Sequence, residues 1–295
     1  ILGTGATAFV YNGRFQPETY LELLQDYQIN VLCCTPTEYR MMAKLSNLND
    51  YHLELLHSAV SAGEPLNREV VEQFKNNFNL TVRDGYGQTE STLLIGFLKD
   101  TEPRPGSMGK GIPGSFVTII DDDGNEVPPQ TKGNIAVPLD LPALFKGYYK
   151  DEERTKAAAA GYYYVTGDLA HKDEDGYFWF EGRRDDIIIS SGYTIGPFEV
   201  EDALTNHPAV KECAVVASPH EIRGNIVKAF IILQNNYEGN DELVKELQTF
   251  CKNEVAPYKY PRAIEFVDDL PKTNSGKIRR VELRDAEIAK YNNRD

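Results

Sequence analysis

Four short segments of this chain combine glycine, a hydroxyl or aromatic side chain and a charge in ways that packing a core does not require. The first is DGYGQTE at 84–90. Glycines on both sides of Tyr86 free the backbone to turn sharply and leave the ring accessible, as stacking on a purine needs. Thr89 can hydrogen-bond a phosphate, and the Glu90 carboxylate is a hard oxygen donor suited to magnesium. The same residues also fit a strand end whose tyrosine packs inside. In the second segment, YVTGDLA at 164–170, Asp168 follows a Thr-Gly turn, where a carboxylate can accept two hydrogen bonds from a ribose diol. A turn aspartate bonding its own backbone would satisfy the same letters. The third, FEGRRDDIIISSGYTIGP at 180–197, offers the planar, forked donors of Arg183 to ribose or phosphate oxygens. Asp185 and Asp186 sit where the composition passes from one domain to the next, and a solvated linker cluster is their other reading. In the fourth, LPKTNSGKIRR at 270–280, Lys277 follows a Ser-Gly pair, so a flexible loop presents a point charge to a phosphate or carboxylate gathering negative charge. A plain surface lysine is the alternative. Neither this loop nor GSMGKGIPG at 106–114 fits the Walker spacing GxxxxGK[ST], since Gly276-Lys277 is followed by Ile278.

The elements that must position these residues fall into two styles. Up to about residue 150, helical and extended patterns alternate, which predicts a largely parallel α/β sheet. PETYLELLQDYQ (17–28) reads as a helix with Tyr20, Leu23, Leu24 and Tyr27 on one face, and VLCC (31–34) as a short buried strand. Thr35, Pro36 and Glu38 form a capping-box start for the next helix. SAVSAG (58–63) and TVRDGYG (81–87) read as strands and NREVVEQFKNNF (67–78) as a helix between them. After Gly106, FVTIID (116–121), NIAV (134–137) and YFWFEG (177–182) predict an antiparallel β subdomain with turn-rich joins. The Ala157–Ala160 run reads as a surface loop or helix end. From Ile187 onward a compact α+β unit of about 110 residues follows, with strands at IIIS, ECAVVA, KAFIIL and AIEFV. Its helices lie near 198–205, at 241–253 and at the end of the sequence, the middle one with an apolar stripe of Leu243, Val244, Leu247, Phe250 and Cys251.

Composition narrows the class. The 295 residues are 41% hydrophobic and 26% charged, which fits a globular protein and excludes fibrous repeats and low-hydrophobicity disorder. At that length two or more domains are expected. The net charge is −14, against a general basic surface for nucleic acid, and no apolar run is long enough to span a bilayer. The four cysteines show no metal-ligand spacing and read as reduced core residues of a cytoplasmic protein. Charge is uneven: residues 252–284 carry net +3 and the remainder −17, a locally basic segment suited to polyanionic ligands.

In their order and wording the four segments resemble the adenylate-forming, or AMP-binding, superfamily, which includes acyl-CoA synthetases, luciferases and peptide-synthetase adenylation domains. The likeness is strongest to the medium-chain acyl-CoA synthetases, through PTEYR (36–40), SAGEPL (61–66), DGYGQTE, SSGYTIGPFEVEDAL (190–204), APYKYPR (256–262) and LPKTNSGKIRR, and it covers essentially the whole chain. The resemblance implies an α/β N-terminal part, with a parallel sheet and an antiparallel β subdomain, followed by a small α+β C-terminal lid. The latter part of the adenylation core would be 1–182, the hinge 183–186 and the mobile lid 187–295. The family's glycine- and hydroxyl-rich phosphate loop, normally well upstream of DGYGQTE, does not occur in these residues. The chain, which opens on Ile1, therefore reads as a C-terminal fragment.

The resemblance also implies roles, residue by residue. Asp84, Gly85, Tyr86, Gly87, Gln88 and Thr89 would line the nucleotide site, with Tyr86 on adenine, Thr89 on the AMP phosphate and Glu90 on Mg2+. Asp168 and Arg183 would hold the ribose hydroxyls. Lys277 would bridge carboxylate and α-phosphate, making Lys277, Thr89 and Glu90 the catalytic set. Asp185 would be the hinge, and Ser191, Gly192, Tyr193, Arg223 and Lys252 would meet coenzyme A. Acetate-specific relatives carry tryptophan where Gly87 stands, so an acyl pocket open to acids longer than propionate is expected. The implied activity is an AMP-forming carboxylate–CoA ligase using ATP, coenzyme A and a small carboxylic acid, with no nucleic acid or membrane span and a homo-oligomer compatible with the sequence. An acetyl- or propionyl-CoA synthetase, a carrier-protein adenylation domain and a catalytically silent nucleotide- or acyl-binding module are the alternatives. One departure stands out: the position after SSGY, commonly arginine in the nearest relatives, is Thr194.

Overall fold

In the computed structural model, which describes residues 3, 5–273 and 277–293, the chain forms two compact units, residues 1–87 with 95–109 and residues 88–94 with 110–295. In the first unit, helices α1 (Pro17–Asp26), α2 (Pro36–Ala43) and α3 (Arg68–Phe78) alternate with β1 (Val31–Cys34), β2 (Ser58–Ala62) and β3 (Val82–Gln88). The strands pair in parallel, β1 with β2 and β2 with β3, placing Ala62 opposite Gly85. The α/β alternation is as expected. The start of α2 follows its sequence: the Thr35 hydroxyl accepts from the Glu38 N–H, the Glu38 carboxylate accepts from the Thr35 N–H, and Pro36 holds the first position. The inward face of α1 matches the expected one only in part: Leu24 is buried and Tyr20 packs against the core. Pro17, Leu21 and Leu24 are buried and Tyr27 is exposed, because leucines lie on more than one side and packing selects the 17-21-24 stripe. Tyr39, fully buried, donates toward the Leu32 and Val60 carbonyls and so ties α2 to two strands.

The strands β4 (Thr92–Gly96) and β5 (Gly109–Gly111) fall where the chain passes from one unit to the other. The second unit opens with β6 (Thr118–Ile120), β7 (Gly133–Pro138), α4 (Glu152–Ala157), β8 (Ala159–Ala160), β9 (Tyr163–Lys172) and β10 (Tyr177–Arg183). Strands β10, β9, β7 and β6 pair antiparallel in that order, as the change of pattern predicts. The alanine run is a helix end followed by a two-residue strand on β9, rather than a plain loop. Strand β6 is shorter than expected because Phe116 sits at φ 49° and is exposed.

A single helical turn at Arg184–Asp186 leads into β11 (Ile188–Ser190), β12 (Tyr193–Ile195), α5 (Pro197–Thr205), β13 (Val210–His220), β14 (Gly224–Leu233), α6 (Asp241–Glu254), β15 (Ala263–Phe266) and α7 (Arg280–Asn292). Among the described residues these five strands form one mixed sheet, β12-β11-β14-β13 with β15 parallel to β14. The α6 stripe packs as its spacing predicts, Leu243, Leu247 and Cys251 entering a core with Ile188, Val200, Leu204, Val215 and Ile231. On the other face Ala214, Val216 and Phe230 meet Leu270 and Leu283, the latter from α7. Across this α+β part, Arg280 makes a bidentate pair with Glu201 at 2.9 and 2.6 Å, and Glu201 also accepts from the Val215 N–H. No helix among the described residues is long and apolar enough to cross a membrane.

Candidate functional site

The DGYGQTE segment is where observation first corrects expectation. It does not turn at its glycines. Strand β3 stays extended through Gln88, neither Gly85 nor Gly87 has a positive φ, and the turn comes at 89–91. What the glycines contribute is absent side chains on either side of a half-buried Tyr86. In the same unit the Asp84 carboxylate accepts from the Gly85 N–H at 2.9 Å and lines a small pocket with Leu66, Val71, Val82 and Phe97. Burial pushes this carboxyl up to about 7, against the lowering effect of N–H donors from Gly85 and Leu66.

Two bulges set the geometry of Asp168 and Arg183. Opposite β7 the register of β9 shifts around Gly167, whose φ is 77°, and opposite β9 the register of β10 shifts between Phe180 and Gly182. The expected Thr-Gly turn is thus a bulge inside a long strand. Its effect is to bring Asp168 and Arg183 face to face across the ladder, their charged atoms 3.7 Å apart. Asp168 is 7% exposed at its side chain and Arg183 54%, so a buried acceptor is paired with a donor that reaches solvent. A third motif joins them. Gln88 donates its amide to Asp168 Oδ2 at 2.7 Å and to the Thr166 carbonyl at 3.0 Å.

Gln88 Oε1 in turn accepts from the Tyr164 hydroxyl at 3.2 Å, and Glu90 Oε1 accepts from the Tyr148 hydroxyl at 3.2 Å. Burial and a hydrogen bond with Tyr148 raise the Tyr164 hydroxyl well above the ordinary phenol range, so it stays protonated. Neither tyrosine was singled out by the sequence. An aromatic residue beside a β-strand reads as core packing, and the hydroxyl partners lie 58 and 76 positions away. Glu90 is half-buried, and its second oxygen carries no hydrogen bond among the described residues. One such carboxylate fits magnesium, which keeps most of its waters and takes one or two protein carboxylates beside phosphate oxygens. Thr89 is exposed in the turn.

The residues expected at coenzyme A gather in part. Ser190 and Tyr193 pair across a two-residue loop in which Ser191 (φ 51°) and Gly192 (φ 84°) both take left-handed backbone, the pattern of a type I′ hairpin. The Arg223 guanidinium donates to Ser191 Oγ at 3.0 Å, and the Ser191 N–H donates to the Arg223 carbonyl at 3.1 Å. Tyr193 stacks on Tyr258 with centroids 4.3 Å apart. Lys252, in the last turn of α6, lies over the Tyr260 ring at 4.0 Å rather than against Arg223. Lys277 is exposed, its backbone fixed by Thr273 through bonds of 2.8 and 3.1 Å. No ion pair joins it to Glu90 or Asp168 among the described residues. Its neighbours Asn274–Gly276, part of the expected loop, lie outside the described residues. Asp185 is exposed in the turn between the two sheets.

The motifs PTEYR and SAGEPL are structural partners of one another. Thr37 donates to Glu64 at 2.7 Å, Arg40 pairs with the same carboxylate at 3.5 Å, and Arg40 donates to Asn67 at 2.9 Å.

A sheet-based α/β part in which Gln88 and Arg183 meet Asp168, followed by a small α+β part, is the architecture of adenylate-forming enzymes. The family models agree: AMP-binding enzyme matches residues 1–149 and AMP-binding enzyme C-terminal domain matches residues 199–277. The chain belongs to the AMP-binding enzyme family. It is 67% identical over 287 residues to the uncharacterized acyl-CoA ligase YtcI of Bacillus subtilis (strain 168), a match covering 97% of this chain and 54% of that protein. It is 46% identical over 290 residues to the mitochondrial acyl-coenzyme A synthetase ACSM3 of Homo sapiens, covering 96% of this chain and 49% of the relative. Among solved structures, an anthranilate CoA ligase, AuaEII, in complex with anthranoyl-AMP superposes with a TM-score of 0.86 at 34% identity, covering 93% of this chain and 53% of that one. A benzoate CoA ligase from Burkholderia xenovorans LB400 gives 0.84 at 32%, covering 96% and 56%. The chain spans about half the length of the curated relatives it matches.

Proposed function

We propose that the full-length protein is an AMP-forming carboxylate–CoA ligase, which activates a medium-chain or similar carboxylic acid with ATP and passes the acyl group to coenzyme A. The observation that carries the reading is the convergence of three separated motifs on one buried carboxylate: Gln88 and Arg183 both approach Asp168. An amide donor on Oδ2 and a solvent-reaching guanidinium 3.7 Å from Oδ1 leave that oxygen to accept from a ribose diol. Tyr86 would offer its ring to adenine and Thr89 its hydroxyl to the α-phosphate. Glu90 would hold Mg2+, which when bound supplies positive charge to the phosphate oxygens.

The chemistry needs two differently furnished states. The substrate carboxylate attacks the α-phosphorus and pyrophosphate leaves, giving a mixed anhydride. Lys277 would offset the charge gathered at phosphorus during that attack. The coenzyme A thiolate then attacks the acyl carbon and AMP leaves. A lid turning about Asp185 would withdraw Lys277 and present the Ser191–Tyr193 hairpin with Arg223, and Lys252 from α6, to coenzyme A. Gly87, lacking a side chain, would leave the acyl pocket open. Free thiols at Cys33, Cys34, Cys213 and Cys251 support a reducing compartment such as the cytoplasm.

Pyrophosphate exchange by the full-length protein tests this directly. Exchange should require a carboxylic acid and favour hexanoate or octanoate over acetate, and CoA thioester should accumulate when coenzyme A is added. A clear preference for acetate would refute the open pocket, and no exchange with any acid would refute adenylation.

A further inference from the structure

We infer that Tyr148 and Tyr164 are positioning residues of the nucleotide site, forming with Gln88 and Phe145 one packed, hydrogen-bonded network that ties the Asp168 carboxylate to the Glu90 carboxylate. Gln88 reaches Asp168 at 2.7 Å, Tyr164 reaches Gln88 and Tyr148 reaches Glu90 at 3.2 Å each, and the two tyrosine rings meet through Phe145. A phenol carries one proton, so Tyr164 donates to Gln88 and Tyr148 donates to Glu90. Asp168 then accepts from the Gln88 amide and Glu90 from the Tyr148 hydroxyl, so neither acid faces a lone pair.

The middle of the network is built to stay put. Tyr164 is 3% exposed. Phe145 packs edge-on against both tyrosine rings, with centroids 4.9 and 5.5 Å away, and its N–H donates to the Glu90 carbonyl at 2.7 Å. The Arg154 guanidinium covers the other aspect of Tyr148 at 3.8 Å, and the Tyr148 N–H donates to Thr155 at 2.9 Å. The loop between β7 and α4 is therefore fastened to Glu90 by both backbone and side chain. Such fastening fixes one oxygen of Glu90 and leaves the other available. Ribose end and cation end are thereby held in one register, although their sequence positions are far apart.

This inference rests on the reading of Glu90 as the magnesium ligand, and the test separates the two. The full-length protein is titrated calorimetrically with a non-hydrolysable ATP analogue, in EDTA and at increasing Mg2+. Tyr148→Phe keeps the ring and its Phe145 and Arg154 contacts and deletes only the hydroxyl. The Mg2+ concentration for half-maximal enhancement of analogue binding should rise about five- to tenfold, the size of one lost hydrogen bond to a charged group, with the EDTA dissociation constant unchanged. Tyr164→Phe should weaken analogue binding in EDTA as well, about threefold or more, because it also supports Gln88 at the ribose end. A Tyr148→Phe midpoint within twofold of the parent overturns the proposal, as does an equal loss with and without Mg2+. Glu90→Gln distinguishes the failures. If it shifts the midpoint and Tyr148→Phe does not, the network alone is wrong. If Glu90→Gln leaves the midpoint in place, the ligand assignment falls and the network with it.

Discussion

Asp84 shows how a single side chain in this fold sets a pH dependence. Its carboxyl titrates near 3.8 in the unfolded chain and about 7 in the folded one, burial being the leading cause. The folded state therefore binds the extra proton between these values, and stability is lost as pH rises through that window. The loss is about 1.4 kcal/mol per pH unit, reaching roughly 4 kcal/mol near pH 7. Asp84→Asn keeps an acceptor for the Gly85 N–H while removing the titration. Its stabilisation over the parent, read from urea midpoints of the full-length protein, should be near zero at pH 4, grow to pH 7 and then level off. A difference that is flat with pH would show that Asp84 is not held neutral. Thr194 makes a second prediction. It is exposed on β12 opposite Ile189, with space for a longer side chain. Thr194→Arg would add a forked cation beside the Ser191–Gly192 hairpin and should tighten ATP binding by about tenfold or more, the size of one charge-assisted hydrogen bond. Unchanged ATP affinity would show that an arginine at this position adds nothing to phosphate binding.

At the scale of elements, the turn at 184–186 is held from both sides. Arg184 reaches Asp122 at 3.1 Å on the β6 side and Asn134 at 3.5 Å on β7, while Arg284 of α7 donates to the Asp185 carbonyl at 2.5 Å and to Asp186 at 3.1 Å. Asp185 is the residue between the two clamps. Arg284→Ala should free the turn without disturbing the lid core, so trypsin cleavage after Arg183 and Arg184 should accelerate about fivefold while the melting temperature holds nearly constant. An unchanged cleavage rate would show that α7 does not restrain the turn. How much of such positioning a sequence discloses depends on the range of the interaction. The Thr35–Glu38 box and the Leu243–Leu247–Cys251 stripe are periodic or three residues apart, and both were legible. The residues themselves offered Asp168 and Arg183 as two separate candidates, and only the family resemblance put them on one ribose, because two strand bulges set their register and no letter in the sequence marks that register. Tyr148 and Tyr164 were invisible for a different reason: a phenol used as a donor and one used as packing have the same side chain. The inward face of α1 was only partly legible because several faces carry leucine, and only the neighbours decide among them.

At the scale of the whole molecule, the basic stretch 252–284 in an otherwise acidic chain is the part suited to polyanionic ligands, of which the proposed function uses two in turn. Lys277 lies next to the Lys272–Ile278 bridge, and Arg223 lies in the turn that joins β13 to β14. If the lid turns between states, their losses must fall on different half-reactions. Lys277→Ala should lower acyl-adenylate formation from ATP and acid by about 10²–10³-fold, the usual effect of removing one group that meets developing charge. It should leave thioester formation from preformed acyl-adenylate and coenzyme A within a few-fold of the parent. Arg223→Ala also frees the Ser191 hydroxyl and so should raise the KM for coenzyme A about tenfold, leaving pyrophosphate exchange unchanged. Rising salt should weaken coenzyme A more than the uncharged pantetheine portion alone, because the attraction is to the nucleotide phosphates. A lid that did not move would instead make the two variants fail together, since one fixed site would hold both Lys277 and the hairpin against the same intermediate. Measuring both half-reactions for both variants therefore decides between a turning lid and a static one, independently of which acid the pocket accepts.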